Sequence, residues 1–171
     1  CVRRVPDRRR GLIGMRPGVR LGWDVGKVRI GVARSDPHGM LATPVRTVSR
    51  GDGDLAELLR LVEEEGVVEI VVGLPLALSG AHTPSTEDAT GFAARLALGS
   101  PVPVRLVDER LSTVSAQRAL RLTGRSSRSS RPVIDQVAAV IILQHALDFE
   151  RSAGTPPGVL VHPEEGSHRG E

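Results

Sequence analysis

Cysteine is all but missing from this chain. The single thiol, Cys1, excludes an intramolecular disulfide and any zinc site built from several thiolates, and it fits a reducing compartment, so the expected location is cytoplasmic. Aromatics are nearly as scarce, with Trp23, two Phe and no Tyr. Stacking on aromatic rings therefore cannot be the main way of holding unpaired bases, and charge must supply most of any affinity for nucleic acid. Lys27 is the only lysine among 23 basic residues, a bias that reads as GC-rich coding rather than selection for guanidinium contacts. Long apolar runs are absent too: the longest, 137–143, is far short of the roughly 20 residues of a membrane span. The amino-terminal stretch has no apolar h-region and does not read as a signal peptide.

What is present suits one ordinary core, since 40% of the 171 residues are hydrophobic. The net charge of +3 is unevenly spread, because residues 1–17 hold Arg3, Arg4, Arg8, Arg9, Arg10 and Arg16 against Asp7 alone. That segment is expected to be a disordered basic tail, either a non-specific aid to phosphate binding or a solvated end. Residues 18–152 form the expected domain, and 153–171 a second disordered tail.

Within the domain, β-favouring runs at 19–25 and 28–33 flank Gly26 and Lys27, the signal of a hairpin. A third extended run, 41–48, follows the turn Asp36-Pro37-His38-Gly39. Leu55, Leu58, Leu59 and Val62 then recur at helical spacing, with Asp52 or Asp54 as candidate N-cap and Gly66 as the stop. The almost unbroken apolar run 67–72 predicts a strand covered on both faces. A helix over 84–98, entered at Pro84, and a strand over 102–107 follow. A short helix over 113–122, a basic loop over 125–132 and a buried helix over 133–150 complete the chain. The order β-β-β-α-β-α-β-α-α demands a mixed five-stranded α/β sheet with flanking helices, matching the ribonuclease-H-like fold.

Three carboxylates stand out by placement. Asp24 lies near the end of an apolar strand between Trp23 and Val25, Glu109 directly follows the fifth strand, and Asp135 falls in the first turn expected for the last helix. Asp24 and Glu109 occupy carboxyl ends of strands, where α/β sheets form their ligand crevice. Converging acids repel unless a cation neutralises them, and an all-oxygen set without His or Cys selects Mg²⁺ or Mn²⁺. Two such ions would activate water and stabilise the leaving oxygen of a phosphodiester. Each acid also has a plainer reading. Asp135 suits a helix N-terminus, Asp108, Glu109 and Arg110 suit a surface ion cluster, and Asp24 suits a turn before Gly26. Arg29 and Arg110 are candidate phosphate clamps or ion-pair partners of these acids. Arg125, Arg128 and Arg131 are candidate backbone contacts on the basic loop.

Leu21-Gly22-Trp23-Asp24-Val25-Gly26, running into Arg29-Ile30-Gly31-Val32-Ala33 and Ser35-Asp36-Pro37, resembles the opening of the YqgF family. Ala42-Thr43-Pro44, Val71-Val72-Gly73-Leu74-Pro75, Val107-Asp108-Glu109-Arg110-Leu111-Ser112-Thr113 with Ala116, and Ile134-Asp135-Gln136-Val137-Ala138-Ala139 follow in the family's order. The resemblance spans about residues 18–149. It implies a cytoplasmic ribonuclease-H-like nuclease, a hydrolase acting on ester bonds. Members of the family are described both as enzymes maturing the 5′ end of pre-16S ribosomal RNA and as candidate Holliday-junction resolvases. It also implies that Asp24, Glu109 and Asp135 are the catalytic, metal-binding set. The related resolvases use a fourth acid with no secure counterpart here, a role Asp108 could assist. Trp23 departs from the aliphatic residue usual at its position, and Arg34 from an apolar or small one.

The expected partners are nucleic acid, either pre-rRNA or branched DNA, and ribosomal precursor particles, with the chain acting as a monomer or homodimer. Two other classes compete. Actin-like ATPases also open with Asp-x-Gly on a hairpin, but they close two such domains over the nucleotide and this chain supplies one. A non-catalytic nucleic-acid-binding factor would keep the fold without turnover.

Overall fold

A computed structural model describes residues 15–111 and 131–163. The Asp24–Gly26 region does turn back as a hairpin: β1 (Arg20–Val25) pairs antiparallel with β2 (Arg29–Ser35), and Gly26 N–H donates to the Arg29 carbonyl at 2.9 Å. β3 (Ala42–Ser49) extends the meander along β2, with a register shift between Val32 and Ala33. Helix α1 (Asp54–Glu64) then carries the chain to β4 (Glu69–Leu74), and α2 (Pro84–Gly99) carries it on to β5 (Val104–Asp108). β1, β4 and β5 are mutually parallel, so their carboxyl ends share one edge of the sheet. The last helix, α3 (Arg131–Ala153), crosses the opposite face from α1 and α2.

The sheet is mixed as expected but has six strands, in the order β3-β2-β1-β4-β5-β6, rather than five. The additional strand, β6 (Val159–Leu160), lies within the segment expected to be a disordered tail. It pairs antiparallel with β5, and Val161 N–H donates to the Val104 carbonyl at 2.8 Å. Two residues with outward side chains bury too little apolar surface to announce a strand; backbone pairing to an open edge makes it.

Alternation along β1 sorts its residues between the two layers. Leu21, Trp23 and Val25 join Ile30, Val32, Ile70, Val72 and Phe92 under α1 and α2. Trp23 is fully buried and meets Phe92 edge to face at 6.4 Å, so it belongs to the core; truncating it to Ala would cost about 3–5 kcal/mol. The other face of β1 presents Arg20, Gly22 and Asp24 to α3. A Cβ added at Gly22 would stand 2.5 Å from the Leu143 Cβ, so the helix lies almost directly on the strand there. Its Ala138, Ala139, Ile142, Leu143, Ala146 and Leu147 fill this second core. The outward face of α3 keeps Val133 and Val137 exposed, so this helix is not buried all round.

Two further expectations change. The N-cap of α1 is Gly53, with φ of 89°, and Asp54 is the first helical residue. Arg16, expected in a flexible tail, is anchored at the amino ends of the strands: its guanidinium binds Glu69 at 2.8 Å and Glu150 at 2.7 Å. Glu69 also accepts from Arg105, and Glu150 from Arg20, closing a largely buried network. The helix expected over 113–122 lies outside the described residues.

Candidate active site

α3 runs antiparallel to β1, so its two buried acids address opposite ends of the sheet: Glu150 joins the arginine network below, and Asp135 meets the carboxyl ends of the strands. Asp24 is the fifth residue of β1 and only 4% exposed. Its direct partner on β2 is Gly31. Because Trp23 pairs with Val72 in the parallel ladder, the next residue on β4 beside Asp24 is Gly73. Directly paired residues face the same side of a sheet, so Asp24 stands between two glycines on the side covered by α3.

Each glycine admits one of the other two acids. A Cβ at Gly31 would stand 2.0 Å from the Asp135 carbonyl oxygen, so the start of α3 rests on the bare backbone of β2. A Cβ at Gly73 would stand 2.6 Å from Glu109 Oε1. Glu109 reaches that position because the chain leaves β5 through a 3₁₀ turn, Glu109–Leu111, that folds its side chain inward, where it is 5% exposed. A glycine within a strand marks close approach of another group, and Gly31 and Gly73 are two such positions. The apolar run 67–72 stops short of Gly73, which the structure places inside β4.

The plainer readings of the acids separate here. Helix α3 begins at Arg131, so its first turn holds no acid and Asp135 lies in the second, away from the helix N-terminus. Asp108 and Arg110 do form a surface pair, at 2.7 Å, and the Arg110 hydrogen bond holds the Asp108 carboxyl below the usual carboxylate range. Glu109 instead points to the interior. Arg110 also reaches the Leu78 carbonyl at 3.4 Å, tying the loop after β4 to the rim of the site. Arg29, the first residue of β2, donates from Nε to Asp135 Oδ2 at 2.8 Å. Nearby, Gln136 donates to the Thr47 hydroxyl at 3.1 Å, a link between α3 and β3 that no motif announces.

Asp24, Glu109 and Asp135 thus share one end and one face of the sheet. Among the described residues, no three Asp, Glu, His or Cys side chains close into a ready metal cage. Arg125 and Arg128 lie outside the described residues, as does the side chain of Arg131.

An antiparallel meander continued by parallel βα units, with acids gathered at the strands' carboxyl ends and a helix laid across them, defines a ribonuclease-H-like domain. The chain belongs to the RuvX (YqgF) family, whose model, described as RuvX: Holliday junction resolvase, matches residues 18–149. It is 66% identical over 150 residues to the "Putative pre-16S rRNA nuclease" of Clavibacter michiganensis subsp. michiganensis, covering 86% of this chain and 93% of that protein. A protein of the same name from Leifsonia xyli subsp. xyli is 63% identical over 155 residues, covering 89% and 99%. Among solved structures, Thermus thermophilus RuvC in complex with Holliday junction substrate superposes with a TM-score of 0.53 at 18% identity, covering 82% of this chain and 99% of that one. That likeness is one of fold.

Proposed function

We propose that this protein hydrolyses phosphodiester bonds in the 5′-end processing of pre-16S ribosomal RNA, in the cytoplasm, with Mg²⁺ or Mn²⁺ held by Asp24, Glu109 and Asp135. The observation that carries the reading is the placement of Asp24 between Gly31 and Gly73, with Gly73 leaving room for the Glu109 carboxylate and Gly31 for the backbone of α3 at Asp135. Family membership and the names of close relatives support the nuclease assignment, and those names favour the ribosomal substrate.

The donor set fits a hard divalent cation. All three side chains are carboxylates, all are buried, and charge of one sign in a low-dielectric pocket favours a cation strongly. When bound, such an ion supplies Lewis-acid polarisation of the phosphate and a more acidic attacking water. The chain's own residues do the rest. A central strand fixes the backbone of Asp24, the turn over Gly73 that of Glu109, and the helix resting on Gly31 that of Asp135, so the three acids are carried on rigid elements. Arg29 and Arg110 flank the acids and offer guanidinium donors to a phosphate. Trp23 and Phe92 are buried in the core, and the exposed Phe149 sits beside Glu150 at the far end of α3 from Asp135, which leaves charge to hold the strand at this site.

A junction resolvase is the second reading, favoured by the description of the matching family. The two part on a labelled pre-16S 5′-leader RNA set beside a four-way DNA junction, each incubated with Mg²⁺, Mn²⁺ or EDTA. Metal-dependent cutting of the RNA alone is expected. Paired nicks in the junction alone would make the protein a resolvase, and intact substrates in every tube would leave a non-catalytic binding factor. No helix among the described residues is long and apolar enough to cross a membrane.

A further inference from the structure

Arg29 is the first residue of β2, two before Gly31, so its side chain leaves the face of the sheet that carries Asp24 and α3. The described hydrogen bond to Asp135 uses one N–H, from Nε, and the two side chains are 28% and 12% exposed. Arg110 differs. It grips Asp108 through Nε, Nη2 and its own backbone N–H, and it spans to the Leu78 carbonyl. Of the two described arginines beside the acids, Arg29 is therefore the one whose described side-chain bond is a single contact, and its partner belongs to the proposed metal-binding set.

We infer that Arg29 is an exchangeable counter-charge: it neutralises Asp135 until a divalent cation takes that carboxylate, and the released guanidinium then engages a phosphate of the nucleic-acid strand. The inference rests on the metal-dependent reading above. A guanidinium on Oδ2 competes with a cation for the same oxygen and repels it, so metal binding and the Arg29–Asp135 pair exclude one another. A strand phosphate supplies the bidentate oxygen pair that suits guanidinium once Asp135 is withdrawn. The coupling is reciprocal, so metal and strand should each strengthen binding of the other.

The test is calorimetric titration of metal-stripped protein with Mn²⁺, comparing wild type, Arg29→Gln and Arg29→Lys. Arg29→Gln should bind Mn²⁺ about two- to fivefold more tightly, as expected for loss of a competing, partly exposed ion pair. Arg29→Lys, which keeps the charge, should stay within about twofold of wild type. Arg29→Gln should also lower the salt slope of nucleic-acid binding by about one phosphate contact. Should either variant fail to fold, wild type answers alone: the Arg29 Nε–H resonance should shift and exchange faster with water on saturation by Mg²⁺. Unchanged or weaker Mn²⁺ binding by folded Arg29→Gln, or an unmoved Nε–H signal, would overturn the exchange. Failure of the wild type to bind Mn²⁺ at all would overturn the metal-dependent reading and the exchange with it.

Discussion

Replacing Gly73 by Ala adds one methyl group directly against a carboxylate of the proposed site. The new Cβ would stand 2.6 Å from Glu109 Oε1 and 2.6 Å from Ile142 Cδ1. Both are ends of flexible side chains, so the strand and helix can stay in place and the stability loss should be only about 1–2 kcal/mol. The carboxylate cannot stay. It must retreat by roughly 0.8 Å to reach ordinary contact, and a displacement of that order at a reacting centre lowers the rate about a hundredfold. The predicted signature is thus a mismatch: a small change in urea midpoint beside a large fall in single-turnover cleavage of leader RNA. A stable Gly73→Ala protein that cuts at the wild-type rate would refute the role given to Glu109.

Gly31→Ala should show the reverse balance, because its Cβ meets backbone, the Asp135 carbonyl at 2.0 Å, and α3 must lift; we expect a loss of about 3 kcal/mol or more by urea unfolding. Arg110→Ala should weaken nucleic-acid binding evenly across sequences and reduce the salt slope by about one, read by fluorescence anisotropy at several salt concentrations. Acid stability should report the network at the other end of the sheet. Burial alone would raise the Glu150 pKa, but the Arg16 hydrogen bond and the charges of Arg20 and Arg16 outweigh it and hold the carboxyl below its ordinary 4.5. A depressed carboxyl stabilises the fold above its unfolded value, and that contribution disappears as pH falls through the folded value. Circular dichroism from pH 7 downward should show this loss in wild type, and a shallower acid slope in an Arg16→Ala protein that is less stable at pH 7.

The strand meander, the buried fourth strand and the helix at Pro84 are legible from sequence because each carries a local signal: a two-residue hairpin turn, an unbroken apolar run, a helix-opening proline after Thr83. Thr83 in fact forms a reciprocal cap with Thr86. The burial of Asp24 was legible for a related reason, since a carboxylate amid apolar strand residues is either buried or turned to solvent by the strand's alternation, and here it is buried. What sequence could not show is who faces whom. Asp24 and Asp135 come to the same end and face of the sheet through the register of β1 and β2 and the crossing of α3 over Gly31, none of which is written within any one segment. Arg16 and Glu150 are 134 residues apart, so a basic residue in an apparent tail gave no hint of its buried partner. β6 was hidden by its brevity, and the Arg29–Asp135 pair by the two equally sound roles open to an arginine beside an acid.

The central claim is that Asp24 holds the metal on which cleavage depends. Asp24→Asn removes that charge at nearly constant volume, so the most direct measurement is cleavage of the pre-16S leader by wild type and Asp24→Asn side by side in Mg²⁺ or Mn²⁺, with folding of both verified. The account predicts metal-dependent cutting by the wild type and none by the folded variant. Full activity in Asp24→Asn would contradict it.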